Sequence, residues 1–428
     1  MAKTQDIGIV LGGGKGNRLF PLTEERAKPS VTIGGSYRII DFVLSNMIHS
    51  GVEKIFILTQ YESDSLYDHI RYGWYPKFGI GGDEFIKVIP AQQTQHNESA
   101  RYKGTADAVI QSKRQIFRSI GSLKEDVINI FGADNVYLMD ISQMNEFHRR
   151  NNADLTISAI PVERELAAGN FGVLEVDDKG RLKSFQEKPK NPIPIPGNDK
   201  ICLVSMGNYA FNSQVLFDEL KKDSEKKDGD REDVEADPEH FSTHDFGFDI
   251  IPQMLREGKR IFVYNFQDNK IRGMSEEERG FWRDIGSLDQ YYLTNMELRQ
   301  AFPLLNLYNE HWPVLTYTES IQPAKFVGSG CATESLIANG VIVSNSSVER
   351  SVISYKTKID DGAVIKDSIL LGRGSIGKGA QINRAIIDKD VFVPDGETVG
   401  LDLEKDKARG FTISPGGIVV VPKGYVFS

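Results

Sequence analysis

A glycine-rich loop followed by basic residues is the first part of the sequence that could do chemistry. The apolar run Ile7–Leu11 leads into the loop Gly12–Gly16 (GGGKG), and Arg18 and Lys28 come soon after it. The loop matches neither the P-loop pattern nor the dinucleotide fingerprint G-x-G-x-x-G, because Asn17 stands where the third glycine would fall. Backbone N–H groups of a glycine loop between a strand and a helix can still approach an anion closely. The pattern therefore favours a phosphate-binding loop over a plain tight turn.

Two aspartates fall where a metal ion could be held. Asp134 ends the apolar run 126–134, so its carboxylate is expected at the carboxyl edge of a sheet, where ligands bind in open α/β folds. Asp284 begins a turn and precedes a predicted helix. A lone aspartate in either place is usually a cap or turn residue. Beside phosphates, however, a pair would suit Mg²⁺, which takes a few carboxylates and completes its shell with water and phosphate oxygens.

The third cluster is the stretch FQEKP, which contains Glu187 and Lys188. A lysine of this kind is most often a solvated surface residue, but it could equally be a point charge for a sugar phosphate. The flanking stretches 170–176 and 205–211 look like strands and contain glycine. They could supply backbone and hydroxyl donors to sugar hydroxyl groups.

The elements that must position these residues alternate along the first 300 residues. Short apolar runs at 7–12, 53–60, 126–134 and 154–162 predict strands, and segments with helical spacing lie between them. This alternation predicts an α/β fold with a mostly parallel mixed sheet, Rossmann-like in layout. The charged stretch 220–241 lacks apolar periodicity and is expected to be a helix end followed by a solvated or disordered insertion.

The last hundred residues follow a different period. β-Branched residues or leucine recur every five or six positions, with Gly, Ser, Asn and Asp between them. This spacing is typical of a β-solenoid built from hexapeptide turns, and it disfavours an ordinary antiparallel β domain. The recurring positions are Ile337, Val343, Val348, Ile353, Ile359, Ile365, Leu370, Ile376, Ile382, Ile387, Val393 and Val399.

Composition limits the classes of function. The chain has 428 residues, a net charge of −9 and two cysteines, Cys202 and Cys331. The negative charge argues against a nucleic-acid or membrane-surface binder. The cysteines are far apart and are expected to be buried thiols in a reducing compartment. The sequence contains neither a signal-peptide run nor a membrane-spanning run, so we expect a cytoplasmic protein.

Stretches spread over the whole chain resemble glucose-1-phosphate adenylyltransferase (ADP-glucose pyrophosphorylase) of the bacterial type. The loop by itself would indicate only the wider group of sugar-nucleotide pyrophosphorylases. The stretches YRIIDFVLSN, HWPVLTY and PAKF favour the ADP-glucose branch. In chain order the similar stretches are LGGGKGNRLFPLTEERAKPSV, YRIIDFVLSNMIHSG, YKGTADAV, EKP, SMGNYAF, HDFGFDIIP, WRDIGSLDQYY and NEHWPVLTYTESIQPAKF.

The resemblance implies transfer of AMP from ATP to glucose 1-phosphate, with Mg²⁺ as cofactor. It also implies a homotetramer, or a hetero-oligomer with a paralogue, controlled by a small-molecule effector of unknown identity. Its implied layout is a nucleotidyltransferase domain at 1–300, a linker at 301–325 and a left-handed β-helix at 326–428.

The resemblance further implies the site residues. Catalytic roles fall to Arg18, Lys28 and Asp134, and metal binding to Asp134 and Asp284. Nucleotide contacts fall to Leu11, Gly12, Gly13, Gly14, Gly16, Arg18, Lys28, Tyr102, Gly104 and Thr105. Glucose 1-phosphate contacts fall to Tyr102, Gly172, Glu187, Lys188 and Ser205.

The sequence departs from the family pattern at four positions. Asn135 stands where the family has histidine, Phe248 where a lysine is usual, and Arg101 where an aromatic residue is common. Glu25 lies in a segment where some members carry a basic effector-site residue. These changes bear on sugar specificity, activator response and rate.

Three alternatives remain open beside this interpretation. The chain could be a catalytically weak regulatory paralogue, or a nucleotidyltransferase that uses another nucleotide or sugar phosphate. It could also be bifunctional, with a solenoid that transfers acyl groups. That chemistry commonly uses a histidine base, and the last histidine of the chain, His311, precedes the solenoid.

Overall fold

The computed structural model describes residues 6–78, 84–92, 101–121 and 126–427. Within these ranges no helix is both long and apolar enough to cross a membrane. The α-helices are α1 (Ile39–His49), α2 (Asp64–His69), α3 (Thr105–Ile120), α4 (Ile141–Arg150), α5 (Arg164–Ala167), α6 (Ser213–Ser224), α7 (Arg231–Ala236), α8 (Ile251–Arg256), α9 (Leu288–Leu298) and α10 (Leu403–Ala408).

The strands that precede the solenoid form one large sheet and three short two-stranded ladders. They are β1 (Asp6–Leu11), β2 (Thr32–Ile33), β3 (Tyr37–Arg38), β4 (Lys54–Thr59), β5 (Phe85–Pro90), β6 (Val127–Gly132), β7 (Asn135–Tyr137), β8 (Leu155–Glu163), β9 (Gly172–Val176), β10 (Leu182–Glu187), β11 (Ile201–Asn212), β12 (Lys227–Asp228), β13 (Phe241–Ser242), β14 (Ile261–Asn265) and β15 (Trp282–Asp284).

The large sheet has nine strands and is buried on both faces. Its path is β10-β9-β11-β6-β1-β4-β5, and β8 and β14 extend it from β11. In β1, Ile7 and Ile9 enter one apolar core while Val10 enters the other, because successive side chains point to opposite faces. Half of the ladders are parallel and half are antiparallel. The predicted mixed, Rossmann-like sheet is confirmed, but it is not mostly parallel, because β11 pairs antiparallel with three strands.

The solenoid is also confirmed, as three parallel sheets that wind around a single apolar core. The predicted apolar positions stack coil upon coil, for example Val343 beside Ile359, Ile376 and Val393. Its strands are β16 (Lys325–Val327), β17 (Cys331–Thr333), β18 (Leu336–Ile337), β19 (Ile342–Ser344), β20 (Ser347–Glu349), β21 (Val352–Ile353), β22 (Lys358–Ile359), β23 (Val364–Lys366), β24 (Ile369–Leu370), β25 (Ser375–Ile376), β26 (Gln381–Asn383), β27 (Ala385–Ile387), β28 (Phe392–Val393), β29 (Thr398–Val399), β30 (Thr412–Ile413) and β31 (Val419–Val421).

Two sequence expectations are wrong. The stretch 220–241 is not disordered after α6, because it forms β12, α7 and β13, and Val234 of α7 is buried. Reciprocal side-chain caps between Asp230 and Asp233 stabilise α7. Cys202 is buried as expected, but Cys331 is exposed. It lies in the first coil of the solenoid, where its neighbour Ala332 pairs with the buried Val348 and Cys331 points outward.

The segment between the two domains is bound along helix α1. The indole N–H of Trp312 donates to Asn46 Oδ1 at 3.1 Å, and the backbone N–H of Leu315 donates to Ser45 Oγ at 2.8 Å. Thr316 Oγ1 donates to Asp41 Oδ2 at 2.6 Å. The chain therefore reaches the solenoid while hydrogen-bonded to the first helix of the sheet domain.

A buried ion pair also joins the two domains. Arg26 donates from Nη1 and Nη2 to the two carboxylate oxygens of Asp388, at 2.9 and 3.1 Å. The side chains are only 6% and 1% exposed. Removing one partner of such a pair leaves an uncompensated charge in the interior.

We expect Asp388→Asn to destabilise the protein by about 3–5 kcal/mol, because the Arg26 guanidinium would stay buried without its counter-charge. The free energy of unfolding in guanidinium chloride measures this. Asp390→Asn is the matched control, since it breaks an exposed pair with Arg373 in the same coil, where little change is expected. Equal losses in both variants would contradict the assignment of Arg26–Asp388 as a buried joint.

Candidate active site

The glycine loop leaves the carboxyl end of β1, at the centre of the sheet. The backbone N–H of Gly12 donates to the carbonyl of Leu58 at 2.9 Å, so the first glycine still pairs with β4. Gly16 has a φ of 66°, and a Cβ there would lie 3.2 Å from Lys28 Cβ. Only a glycine fits this left-handed turn easily. Gly14 is open to the space above the sheet, with nothing within 4 Å of its Cβ position.

The helix expected after the loop is absent from the described structure. The residues Asn17–Leu19 form a single 3-10 turn, with the N–H of Leu19 donating to the carbonyl of Gly16 at 2.8 Å. Pro21 lacks the N–H that a continuing helix would use. The loop therefore offers its own backbone N–H groups to an anion, without a helix N-terminus behind them.

A short antiparallel ladder brings the two predicted metal-binding aspartates together. Strands β7 and β15 pair so that Asp284 lies opposite Asn135, and the N–H of Ile285 donates to the carbonyl of Asp134 at 3.1 Å. Lys28 Nζ donates to Asp134 Oδ2 at 2.8 Å and lies 3.9 Å from Asp284 Oδ1. Lys28 is itself buried. One lysine thus contacts both carboxylates.

The electrostatics of this pair favour a bound cation. Burial and the negative charge of Asp134 raise the pKa of Asp284 to about 6, against the opposing charges of Lys28 and Arg18. Burial also opposes the ionisation of Asp134, but the charge and hydrogen bond of Lys28 outweigh it and hold its pKa below the ordinary value. Two facing carboxylates with only one buried lysine between them retain excess negative charge.

The donor set fits Mg²⁺ rather than a metal caged by protein. Among residues 6–78, 84–92, 101–121 and 126–427, no three His, Cys, Asp or Glu side chains gather into a metal-binding group. Asp134 keeps 42% of its side chain exposed towards the cleft. A few carboxylates that face open space match the habit of Mg²⁺, which keeps waters and substrate phosphates in its shell.

Glu187 and Lys188 at the end of β10 form another part of the site, close enough for the charge of Lys188 to act on Asp284. Lys188 Nζ lies 3.3 Å from Glu187 Oε1, and 44% of the lysine side chain is exposed. Burial raises the pKa of Glu187, while Lys188 opposes that shift. A Cβ on Gly172 would lie 3.0 Å from Glu187 Oε2, and one on Gly247 would lie 2.5 Å from it. The two glycines make room for this carboxylate.

Ser205 lies at an irregularity of the long strand β11. The pairing with β8 shifts register between Ser205 and Tyr209, and Gly207 between them has a φ of 71°. The N–H of Gly207 donates to Ser205 Oγ at 3.1 Å. Such a bulge re-aims side chains next to a site. It accounts for a serine hydroxyl that faces the cleft from the middle of a strand.

Residues 102–105 form the wall beside the glycine loop. The hydroxyl of Tyr102 lies 3.5 Å from the carbonyl of Ile89, so the tyrosine presents its ring to the cleft. Thr105 Oγ1 donates to Asp245 Oδ2 at 2.8 Å and accepts from the N–H of Phe246 at 3.0 Å. These contacts tie the start of α3 to the segment that precedes α8.

The space between these groups is a cleft of about 590 Å³. Gly12, Gly16 and Lys28 lie behind its surface, and Lys28 takes part through Asp134. The predicted site residues that line the cleft are Leu11, Gly13, Gly14, Arg18, Tyr102, Gly104, Thr105, Asp134, Gly172, Glu187, Lys188, Ser205 and Asp284.

Several cleft residues were not predicted as site residues. Asp245 is the most notable, since its Oδ1 also accepts from the N–H groups of Gly247 and Phe248. It belongs to the stretch HDFGFDIIP, which the sequence analysis singled out without assigning a role. Lys15, Gln60 and Asn170 also line the cleft. Lys15 had a signal, because it is the one charged residue of the glycine loop.

Gly104 has no room for a side chain. A Cβ there would lie 2.2 Å from the carbonyl oxygen of His244, which is backbone and cannot move aside cheaply. We expect Gly104→Ala to lower the free energy of unfolding by about 1–3 kcal/mol, as overpacking does. Gly14→Ala is the matched control, because nothing lies within 4 Å of its Cβ position. Thermal unfolding of both variants tests this, and equal midpoints would contradict it.

Comparison with known proteins defines first the class and then the family. Residues 7–301 match the family model described as "Nucleotidyl transferase", and residues 322–421 match "GlmU-like, C-terminal hexapeptide". The fold and the cleft therefore define a nucleotidyl transferase that carries a hexapeptide-repeat domain.

The relatives narrow this class. The chain is 44% identical over 422 residues to glucose-1-phosphate adenylyltransferase of Trichlorobacter lovleyi, covering 97% of each chain. It is 45% identical over 420 residues to the protein of that name from Geobacter metallireducens, covering 97% of this chain and 96% of the other. The counterpart from Thermus thermophilus is 42% identical over 435 residues, with both chains covered fully. The chain belongs to the glucose-1-phosphate adenylyltransferase family, which confirms the predicted resemblance.

Proposed function

We propose that this protein transfers AMP from ATP to α-D-glucose 1-phosphate, releasing pyrophosphate and forming ADP-glucose for the synthesis of glycogen or a related α-glucan. The observation that carries the proposal is one cleft that is lined by a glycine loop, by two facing carboxylates and by Glu187 and Lys188. The full-length similarity to enzymes of that name supports the choice of substrates.

The roles follow from the charges that must meet. Glucose 1-phosphate is already an anionic nucleophile, so no general base is needed. The obstacle is to bring it in line with the α-phosphorus of ATP, which is itself surrounded by negative oxygens. In this proposal the N–H groups of the loop and Arg18 hold the ATP phosphates, and Lys188 holds the sugar phosphate. Lys28 fixes Asp134 and adds positive charge below the reacting phosphates.

Asp134 and Asp284 would hold Mg²⁺. When bound, the ion would neutralise phosphate oxygens and favour departure of pyrophosphate. Glu187 would accept from sugar hydroxyl groups, and Ser205 could donate to them. The ring of Tyr102 and the backbone of Gly104–Thr105 would bound the nucleotide side of the cleft.

Pyrophosphate release with a panel of substrates tests the proposal. ATP with glucose 1-phosphate and Mg²⁺ is expected to give the highest kcat/KM. A strong preference for UTP, dTTP or GTP, or for another sugar phosphate, would refute the assignment of substrates. A background rate with every pair of nucleotide and sugar phosphate would favour a catalytically weak regulatory paralogue. Asn135 and Phe248, which depart from the family pattern, are the residues that suggest this alternative.

We also propose that the chain assembles into a homotetramer through its solenoid. Ile342 and Phe392, on one of the solenoid sheets, are exposed large apolar residues, as is Phe326 of the first coil. Light scattering coupled to size exclusion measures the mass, for which four chains of 47.8 kDa are expected. A monomer would contradict the proposal, and a requirement for a paralogous chain would favour the hetero-oligomer.

A small-molecule effector is the remaining partner that we propose, and an anion is the chemistry we favour. Arg38 of the sheet domain and Lys389 of the solenoid are both partly buried and close enough for their charges to interact. Burial and the charges of Arg38 and Arg26 lower the pKa of Lys389 to about 7. A panel of phosphorylated and carboxylate metabolites, tested on the wild type and on Lys389→Gln, would identify the effector.

Because ATP is the proposed substrate, we place the protein in the cytoplasm.

A further inference from the structure

A buried histidine lies behind the wall of the cleft formed by Gly104 and Thr105. The side chain of His244 is 5% exposed, with Nδ1 2.7 Å from Asp223 Oδ2 and Nε2 3.2 Å from Asp228 Oδ1. Both partners are carboxylate oxygens, so both ring nitrogens must donate. A neutral imidazole has only one N–H, so only the charged imidazolium can donate to both carboxylates. We call His244, Asp223 and Asp228 the His244 bridge.

The bridge holds a backbone conformation that is unfavourable for histidine. His244 has a φ of 57°, in the left-handed region that residues other than glycine seldom occupy. Its N–H donates to Ser242 Oγ at 2.8 Å, and that hydroxyl donates to Asp223 Oδ1 at 2.7 Å. Side-chain and backbone contacts to Asp223 together keep His244 in this conformation.

The same backbone supports the wall of the cleft. The carbonyl of His244 accepts from the N–H groups of Ala106 and Asp107 at 2.9 and 3.3 Å, which belong to the first turn of α3. Gly104 packs directly against that carbonyl. A second connection runs through Lys103, which lines the cleft and whose Nζ donates to Asp228 Oδ1 at 2.7 Å. The His244 bridge therefore contacts the cleft wall in two places, at the start of α3 and at Lys103.

The charged groups that act on His244 come from three neighbouring elements and from Lys103. Asp223 lies at the end of α6, Asp228 in β12 and Asp107 in α3, while Lys103 is the cation next to Asp228. Burial alone would lower the pKa of His244, but the hydrogen bonds and charges of Asp223 and Asp228, with Asp107, raise it above the ordinary 6.5. A raised pKa means that the charged form, which completes the bridge, predominates below the folded-state pKa and is lost as the pH rises through that pKa.

We propose that His244 is a positioning residue whose charged form holds Lys103–Thr105 in place, so that the nucleotide side of the cleft loosens when the imidazole loses its proton. The assignment of this side to the nucleotide rests on the proposed function. The positioning of Lys103–Thr105 by His244 does not depend on that function, because it is argued only from contacts within the protein.

Amide hydrogen exchange in the substrate-free protein tests the support. In His244→Asn the amide protons of Ala106 and Asp107 are expected to exchange about tenfold faster than in the wild type at pH 6. The difference should be smaller at pH 9, because the neutral imidazole of the wild type can then donate only one of the two ring hydrogen bonds. Asparagine tolerates the left-handed conformation, so the variant is expected to fold. His240→Asn is the matched control, since it removes an exposed histidine paired with Asp237 in the same segment.

An equal difference at pH 6 and pH 9 would show a merely structural histidine and overturn the proposal, as would an equal effect of His240→Asn. Asp228→Asn provides a second variant, because it removes the charge of the exposed carboxylate that pairs with both Nε2 of His244 and Nζ of Lys103. Asp228→Asn is expected to reduce the pH dependence of amide exchange at Ala106 and Asp107 and to keep the protection that does not depend on pH.

Kinetics separates this proposal from the proposed function. The KM for ATP of the wild type is expected to rise severalfold more between pH 7 and pH 9 than that of His244→Asn, with similar changes in kcat. If the protein turns over no ATP but the exchange result holds, only the substrates are wrong. If turnover is normal and both proteins give the same pH profile, the bridge has no part in binding and the proposal fails.

Discussion

Replacing Asp134 by asparagine is expected to lower kcat about a thousandfold, because the side chain keeps its shape but loses the charge that a metal ion requires. Asp134 Oδ2 accepts from Lys28 at 2.8 Å, and Oδ1 accepts from the amide of Asn135 at 3.3 Å. The side chain is 42% exposed, so the fold should tolerate the change. Pyrophosphate release at saturating ATP and glucose 1-phosphate, over a range of Mg²⁺ concentrations, measures the loss.

A variant of the second carboxylate, Asp284, tests whether the two aspartates hold the same ion. Asp284→Asn is expected to cost a similar factor, and the double variant should be about as slow as either single one, because both carboxylates would hold the same ion. Asp178→Asn, an exposed acid in the turn between β9 and β10, is the control and should keep the wild-type rate. If the two losses multiplied fully in the double variant, the aspartates would have separate roles and the shared metal site would be wrong.

The solenoid could be predicted almost completely from the sequence. Its repeat is local, because each turn places one apolar side chain inward and the next coil repeats the pattern. Eleven of the twelve predicted positions are buried, and all of them align in stacked columns. The exception is Ile337 in the first coil, which is partly buried against the same core.

The meeting of Asp134 and Asp284 could not be predicted from spacing. It depends on the three-residue ladder between β7 and β15, and segments so short carry no pattern of their own. The resemblance to a family supplied the pairing, and the ladder gives its physical cause. The 3-10 turn after the glycine loop was missed for a related reason, since the glycine loop looks the same whether a helix or a turn follows it.

The elements within 220–241 could not be predicted, because the charges of this stretch suggested a solvated or disordered segment. Most of those charges are indeed exposed, but Asp223 and Asp228 are partners of His244, and Val234 anchors α7. Charge density reports on hydration and says nothing of pairing with a residue that follows later in the chain. His244 itself had no signal beyond its place in a motif.

Lys28 and Lys188 differ in how their side chains are held, and this difference decides what each lysine can do. Lys28 is buried and already bonded to Asp134, so it is a fixed part of the metal site. Lys188 is 44% exposed and has only a 3.3 Å contact with Glu187 in its own sequence neighbourhood. A flexible, half-exposed ammonium group can reorient towards an incoming phosphate. We therefore expect Lys188 to act mainly in binding and Lys28 mainly in the chemical step.

Lys188→Gln is accordingly expected to raise the KM for glucose 1-phosphate about a hundredfold and to change kcat only severalfold, because a charge-assisted bond to a phosphate is made before and during the reaction alike. The KM for ATP should stay within about twofold, since the ATP phosphates are assigned to the glycine loop and Arg18. Lys190→Gln, two residues further along and exposed, is the matched control and should leave both constants unchanged. Initial rates with each substrate varied in turn measure all four constants. An unchanged KM for glucose 1-phosphate together with a raised KM for ATP would instead assign Lys188 to the nucleotide phosphates and contradict its assignment to the sugar phosphate.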